Sequence, residues 1–238
     1  MKYNNNSFTY GIECEGIFGN GLIDMIEDEG SFDLKYDSSV RYNNIRDKFN
    51  LKSEDITDDQ HTEVNLGVYT NSLMLLKALK MFKNGENYWT DKSCGLHLHI
   101  KPKRRFKDIT DIFWDYKLIK KLEKYAFSEL CEHVQARKLE HFCHKYGGFD
   151  SFLYDYRTSE KYRFVHRHEQ GTWEFRFFAP CEHKLDNMKK FLKYFYKEIN
   201  KQKNKMKFKM YLDDVIQVKE KNIDVKVNER LQELELNI

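Results

Sequence analysis

The chain has 238 residues, 40% of them apolar and 15% aromatic, enough to bury a core in one large domain or two small ones. No apolar run approaches the ~18 residues of a membrane span, and the start, Met1-Lys-Tyr-Asn-Asn-Asn-Ser7, has no signal-peptide stretch; a cytoplasmic protein with no membrane partner is expected. The net charge of +3 is unevenly spread, with 10 Lys/Arg against 16 Asp/Glu in residues 1–100 and 31 against 22 in residues 101–238.

In chain order, residues 7–18 read as a strand, and residues 21–29 fit either a short helix or a strand. Residues 31–37 alternate as a strand that ends at the turn Asp37-Ser-Ser. Residues 43–60 are polar, a loop with a helical turn. Residues 62–70 read as a strand, after which Asn71 or Ser72 caps a helix over 73–83. The next strand carries His97 and His99 and is closed by Pro102. Residues 108–146 have helical spacing, as two helices ended by Gly147-Gly148. Residues 162–168 and 172–178 read as a hairpin turning at Glu169-Gln-Gly171. A basic amphipathic helix follows over 184–200, then a strand at 206–218 and a helix at 226–236. The expected class is α+β with a mainly antiparallel sheet. No Gly/Ser hinge interrupts it.

Three of these strands carry a polar pair at spacing two: Glu13 and Glu15, His97 and His99, Glu174 and Arg176. Residues i and i+2 share one face of a strand. Their neighbours Ile12, Cys14, Leu96, Leu98, Trp173, Phe175 and Phe177 take the other, which reads as core. Two carboxylates on one face repel unless solvated or neutralised, and a divalent cation neutralises them. Carboxylates are hard ligands that suit Mg²⁺ or Mn²⁺; His97, Glu63 and Glu174 add donors. Arg163, Arg167 and Arg176 fall in the predicted hairpin, where guanidinium forks suit phosphate. Metal, carboxylates and arginines together suit a nucleoside triphosphate, yet no Walker or kinase glycine loop is present.

The order Gly11-Ile-Glu-Cys-Glu15, Asp37-Ser-Ser-Val40, Thr62-Glu-Val-Asn65, Ser93-Cys-Gly-Leu-His-Leu-His99 and Thr172-Trp-Glu-Phe-Arg176 resembles the amidoligase family. That family belongs to the carboxylate–amine ligase superfamily of glutamine synthetase and γ-glutamylcysteine synthetase. The resemblance covers roughly residues 8–200. It implies a curved antiparallel sheet like the glutamine synthetase catalytic domain, with ATP and Mg²⁺ (or Mn²⁺) on its concave face and helices on its convex side. It further implies metal ligation by Glu13, Glu15, Glu63, His97 and Glu174. His99, Arg176 and Arg167 would bind the nucleotide. Arg176, Asp37 and Arg163 would act in catalysis, with Asp37 receiving the amine proton. Arg157 competes with Arg163 and Arg167 as the second anion-binding arginine. Two features depart from the family pattern: the loop reads Asp-Ser-Ser without a glycine, and His166 stands where an asparagine-like residue is expected.

The implied reaction is ATP-dependent amide formation between a small-molecule or peptide carboxylate and an amine, through an acyl phosphate. A homo-oligomer is compatible with this reading. Residues 1–205 would form the catalytic domain and 206–238 an extension packed on it. Two other classes compete: a two-metal hydrolase or nuclease using the same carboxylates, and a non-catalytic nucleic-acid binder using Lys101-Pro-Lys-Arg-Arg105 and the helix after 184. The five cysteines are odd in number and scattered, unlike a disulfide framework. Cys131, His133, His141, Cys143 and His144 fit no standard zinc spacing and read as packed or surface residues.

Overall fold

A computed structural model describes residues 3–29, 32–103, 116–137, 163–168 and 171–203. The tail elements expected at 206–218 and 226–236, the whole extension 206–238, Arg157, His141, Cys143 and His144 lie outside the described residues.

The architecture is α+β. An open six-stranded sheet has the order β3-β4-β1-β6-β8-β7, built from β1 (Phe8–Glu15), β3 (Phe32–Lys35), β4 (Glu63–Tyr69), β6 (Leu96–Pro102), β7 (Val165–Arg167) and β8 (Trp173–Phe178). Every neighbouring pair in it is antiparallel. The two central strands are therefore β1, flanked by β4 and β6, and β6, flanked by β1 and β8.

Alternation sorts each strand by face. Phe8, Tyr10, Ile12 and Cys14 of β1, Leu96, Leu98 and Ile100 of β6, and Trp173, Phe175 and Phe177 of β8 are all buried, and all join one hydrophobic cluster. Helices α1 (Asn20–Glu29), α3 (Ser72–Leu79), α4 (Tyr116–Glu129) and α6 (residues 184–203) cover that face. The last buries Met188, Phe191, Leu192, Phe195 and Ile199 against it, a helical stripe at spacings of three and four. The ring of Phe191 lies 5.0 Å from Phe175 and 4.9 Å from Phe177, edge to face. Each such ring contributes ~1.5–3 kcal/mol by leaving water. The opposite face of the sheet is left to the polar pairs.

The strand expected over 7–18 breaks at Gly16. Its φ is +155°, and a Cβ there would lie 2.7 Å from the Trp89 carbonyl oxygen. The chain turns away, and β2 (Ile17–Phe18) pairs with β5 (Tyr88–Trp89) in a separate two-stranded sheet. Residues 21–29 resolve to helix as part of α1. The polar stretch after 43 holds a full helix, α2 (Tyr42–Phe49), ended by Asn50 in the left-handed region. Its sequence hides it because only Ile45 is buried. Asn71 caps α3 as expected, its Oδ1 accepting from the amides of Leu73 and Met74 at 3.0 and 3.1 Å. Within 108–146 the described helices are α4 and a short α5 (Glu132–Ala136). The expected hairpin forms between β7 and β8, which pair antiparallel with His166 opposite Glu174. No helix among the described residues is long and apolar enough to cross a membrane.

Candidate metal centre

The face opposite the core is assembled by strand register. On β1, Glu13 stands between Asn65 of β4 and His97 of β6, and Glu15 stands opposite Glu63. On the next strand pair His99 faces Glu174, which in turn faces His166. Cross-strand partners lie ~4.5–5.5 Å apart at Cβ. Five strands thus deliver a continuous polar row whose members meet only because their strands are neighbours.

His97 is the hub. Its Nδ1 lies 2.9 Å from Glu13 Oε2 and 3.2 Å from Glu174 Oε1, and its Nε2 lies 3.4 Å from Glu15 Oε1. His99 Nε2 takes the other Glu13 oxygen at 2.9 Å. His168 Nε2 takes the second Glu174 oxygen at 3.1 Å, while Arg176 Nη1 donates to the first. The side chains of His97, Glu15 and Glu174 are at most 4% exposed. Charges this deep persist only when paired or bound to an ion.

The hub depends on Gly95. A Cβ there would sit 2.5 Å from His97 Nε2 and 3.0 Å from Glu15 Oε2. The Gly95 amide instead donates to Glu15 Oε2. Glu15 is held further by the Tyr88 hydroxyl, which donates to its carbonyl at 2.7 Å.

A second group lies beside the first. One carboxylate oxygen each from Glu15, Asp37 and Glu63 falls within 4.8 Å of the others. Asp37 is placed by its loop: its amide donates to Thr62 Oγ1 at 2.9 Å, and its Oδ1 accepts from the Ser39 amide at 2.6 Å. Asn65 donates Nδ2 to Glu63 at 2.8 Å, and its Oδ1 is buried without a hydrogen-bond partner. The three carboxylates are a donor set for a hard cation, and the orphaned amide oxygen belongs to the residue bonded to Glu63.

The protonation pattern agrees. Burial, and then the charge of Glu13, push Glu63 up to about 7. Burial would raise Glu13 as well, but hydrogen bonds from His97 and His99 outweigh it and hold that carboxyl well below the usual range. Burial is likewise outweighed at Glu174, where the His168 hydrogen bond and the charges of His97 and Arg176 bring it down to about 2. Burial opposes the charged form of His97, yet Glu15 and Glu13 raise its value above the ordinary one. The centre therefore holds more carboxylates than cations to balance them.

Of the residues singled out in the sequence, the structure gathers Glu13, Glu15, Glu63, His97, His99, Glu174, Arg176 and Asp37. His99 shares a potential ligand set with Glu13 and Glu174. Arg167 lies opposite Trp173, so alternation places it on the core side of β7 and away from Glu174. Arg163 is half-buried just before that strand. Sequence reasoning missed Asn65 and His168 as site residues and treated His166 only as a departure from a pattern. The signal was there: His166 and His168 repeat the spacing of two that marked His97 and His99. Of the Cys/His cluster only Cys131 and His133 are described: Cys131 lies with its Sγ 3.9 Å from that of Cys181, and His133 is solvent-facing near Glu182.

Beside Glu13 and His99, a groove of about 650 Å³ runs over β1 and β4. Gly11, Gly67, Phe32, Lys35, Val68 and Lys101 are among the residues that line it. Such a groove admits a flat or extended ligand next to the acidic centre. Compared with known proteins, the chain matches no protein-family model and no curated protein.

Proposed function

We propose that this chain is an ATP- and Mg²⁺-dependent carboxylate–amine ligase on a glutamine synthetase-like sheet. The observation that carries the reading is the meeting of Glu13, Glu15, Glu63, His97, Glu174 and Arg176 on one sheet face. These are the residues that the amidoligase resemblance assigns to ATP and metal.

The donors fit the implied ions. Glu15 and Glu63, with the orphaned Asn65 oxygen, would hold one Mg²⁺ beside Asp37, and Glu13, His97 and Glu174 would hold another. Bound there, Mg²⁺ supplies charge neutralisation for the triphosphate. In the reaction, a substrate carboxylate oxygen attacks the ATP γ-phosphorus, ADP leaves, and an acyl phosphate forms. An amine then attacks the acyl carbon, and inorganic phosphate departs with the bonding pair. Arg176, whose buried Nε has no hydrogen-bond partner, offers a donor to the phosphoryl oxygens. Asp37, at the rim of the acidic group, accepts the proton from the attacking amine. The groove over Gly11 and Gly67 accommodates the organic part of a ligand.

The test is ADP release with ATP, Mg²⁺ and a panel of acids and amines, with mass detection of the amide. Release that needs both an acid and an amine supports the ligase. Phosphate or nucleotide hydrolysis without amine dependence favours the two-metal hydrolase instead.

A further inference from the structure

The edge of the sheet carries two imidazoles that the ATP–Mg²⁺ centre does not use, beside a carboxylate that it shares. His166 and His168 stand on one face at the end of β7, and Glu174 faces His166 from β8. One ligand atom from each of the three lies within 4.8 Å of the other two. His168 Nε2 already reaches Glu174 Oε2 at 3.1 Å. The two imidazole rings sit 4.6 Å apart, edge to face.

Glu174 divides its oxygens. Oε1 turns inward to His97 at 3.2 Å and to Arg176, while Oε2 turns outward to His168. One carboxylate can therefore serve the centre and the edge at once. Burial is graded along the set: the Glu174 side chain is 4% exposed and that of His168 is 40% exposed. An ion would enter from the His168 side and settle on a fixed inner carboxylate.

The donor chemistry selects the ion. Imidazole is a borderline ligand that prefers transition ions, so two imidazoles with one carboxylate favour such an ion, whereas Mg²⁺ prefers an all-oxygen set. Three protein donors also leave positions open for water or substrate. We propose that His166, His168 and Glu174 form a site for a borderline divalent ion of the Zn²⁺ and Co²⁺ class, chemically distinct from the all-oxygen group of Glu15, Asp37 and Glu63. The site needs no nucleotide, so its test stands apart from that of the ligase reading.

The experiment titrates the metal-free full chain with Co²⁺ in excess Mg²⁺ and follows the visible absorption of the Co²⁺ ion. The expected result is one Co²⁺ equivalent with imidazole ligation that excess Mg²⁺ does not displace. His166→Gln and His168→Gln should each weaken it by at least about tenfold, and Glu63→Gln should leave it unchanged. The proposal is overturned if Mg²⁺ displaces Co²⁺ at matched concentration, or if both histidine variants bind like the parent. Loss on His99→Gln with retention in His166→Gln would also overturn it, by moving the ion to the centre. X-ray absorption of the Zn²⁺-loaded parent and of its His99→Gln variant reads the ligand shell directly. Two imidazole scatterers that persist in the His99→Gln variant support the site, and an oxygen-only shell overturns it.

Discussion

Glu63→Gln should stabilise the metal-free protein and weaken its response to Mg²⁺. The three carboxylates of Glu15, Asp37 and Glu63 bring oxygens within 4.8 Å of one another. At that separation a like-charge pair costs about 3.5 kcal/mol at an effective dielectric of ~20, and about 0.9 kcal/mol in bulk water. The rise of Glu63 from 4.5 to about 7, at ~1.36 kcal/mol per unit, corresponds to about 3 kcal/mol. Glu63 is only half-buried, so solvent screening reduces this to about 1–2 kcal/mol. Glutamine keeps the side-chain length and an oxygen for the Asn65 Nδ2 bond. In EDTA at pH 8 the variant should therefore melt above the parent by ~2–8 °C for a chain of this size. With Mg²⁺ at one hundred times its Kd, the parent gains about 2.7 kcal/mol, while the variant gains clearly less. Differential scanning calorimetry in EDTA and in Mg²⁺ reads both effects. A variant less stable than the parent in EDTA, or one that gains as much from Mg²⁺, would refute the reasoning.

Further outcomes follow from the same geometry. Metal-free stability should fall as pH rises from about 4.5 through 7: Glu63 has a raised value, so the folded state holds more protons than the unfolded state in that window, and His97, also raised, loses its contribution as it deprotonates. Urea midpoints against pH, with Mg²⁺ expected to flatten the slope, check this. Arg176→Ala should lower ADP formation by about 10²–10³-fold with the fold intact; a variant as fast as the parent excludes Arg176 from phosphate. Gly95→Ala drives a methyl into the His97 ring and should weaken Mg²⁺ binding at least about tenfold by calorimetric titration. Phe175→Ala, which leaves the polar face untouched, should cost about 3–5 kcal/mol in chemical denaturation.

The sequence was most readable where one strand carried two periods at once. Glu13 with Ile12 and Cys14, or Glu174 with Trp173 and Phe175, reveal a core face and a site face from alternation alone. What alternation cannot supply is which strands are neighbours, so the meeting of His97 with both Glu13 and Glu174 needed the sheet order. The capped helix at Asn71 was legible because its cap is a local hydrogen bond. Helix α2 was not, because a helix that buries only Ile45 leaves almost no apolar stripe. The break at Gly16 was invisible for another reason: it is set by Trp89, 73 residues away, whose carbonyl occupies the space of a side chain. His168 was overlooked because its partner Glu174 lies across a hairpin and its own run is not apolar on both sides.

The central position of β1 also dictates when the centre can exist during synthesis. This strand is made before its partners, which come from residues 63–69 and 96–102, and the Glu174 strand follows later still. Contacts so far apart in sequence close slowly. Until β8 emerges and pairs, Glu13 and Glu15 stand on a strand with an incomplete sheet and few counter-charges. A nascent chain would thus pass through a stage in which its most acidic strand is exposed and its apolar face uncovered, a state prone to misassembly. Divalent ions can retain only the finished sheet, so their binding would act late, as a lock on completed topology.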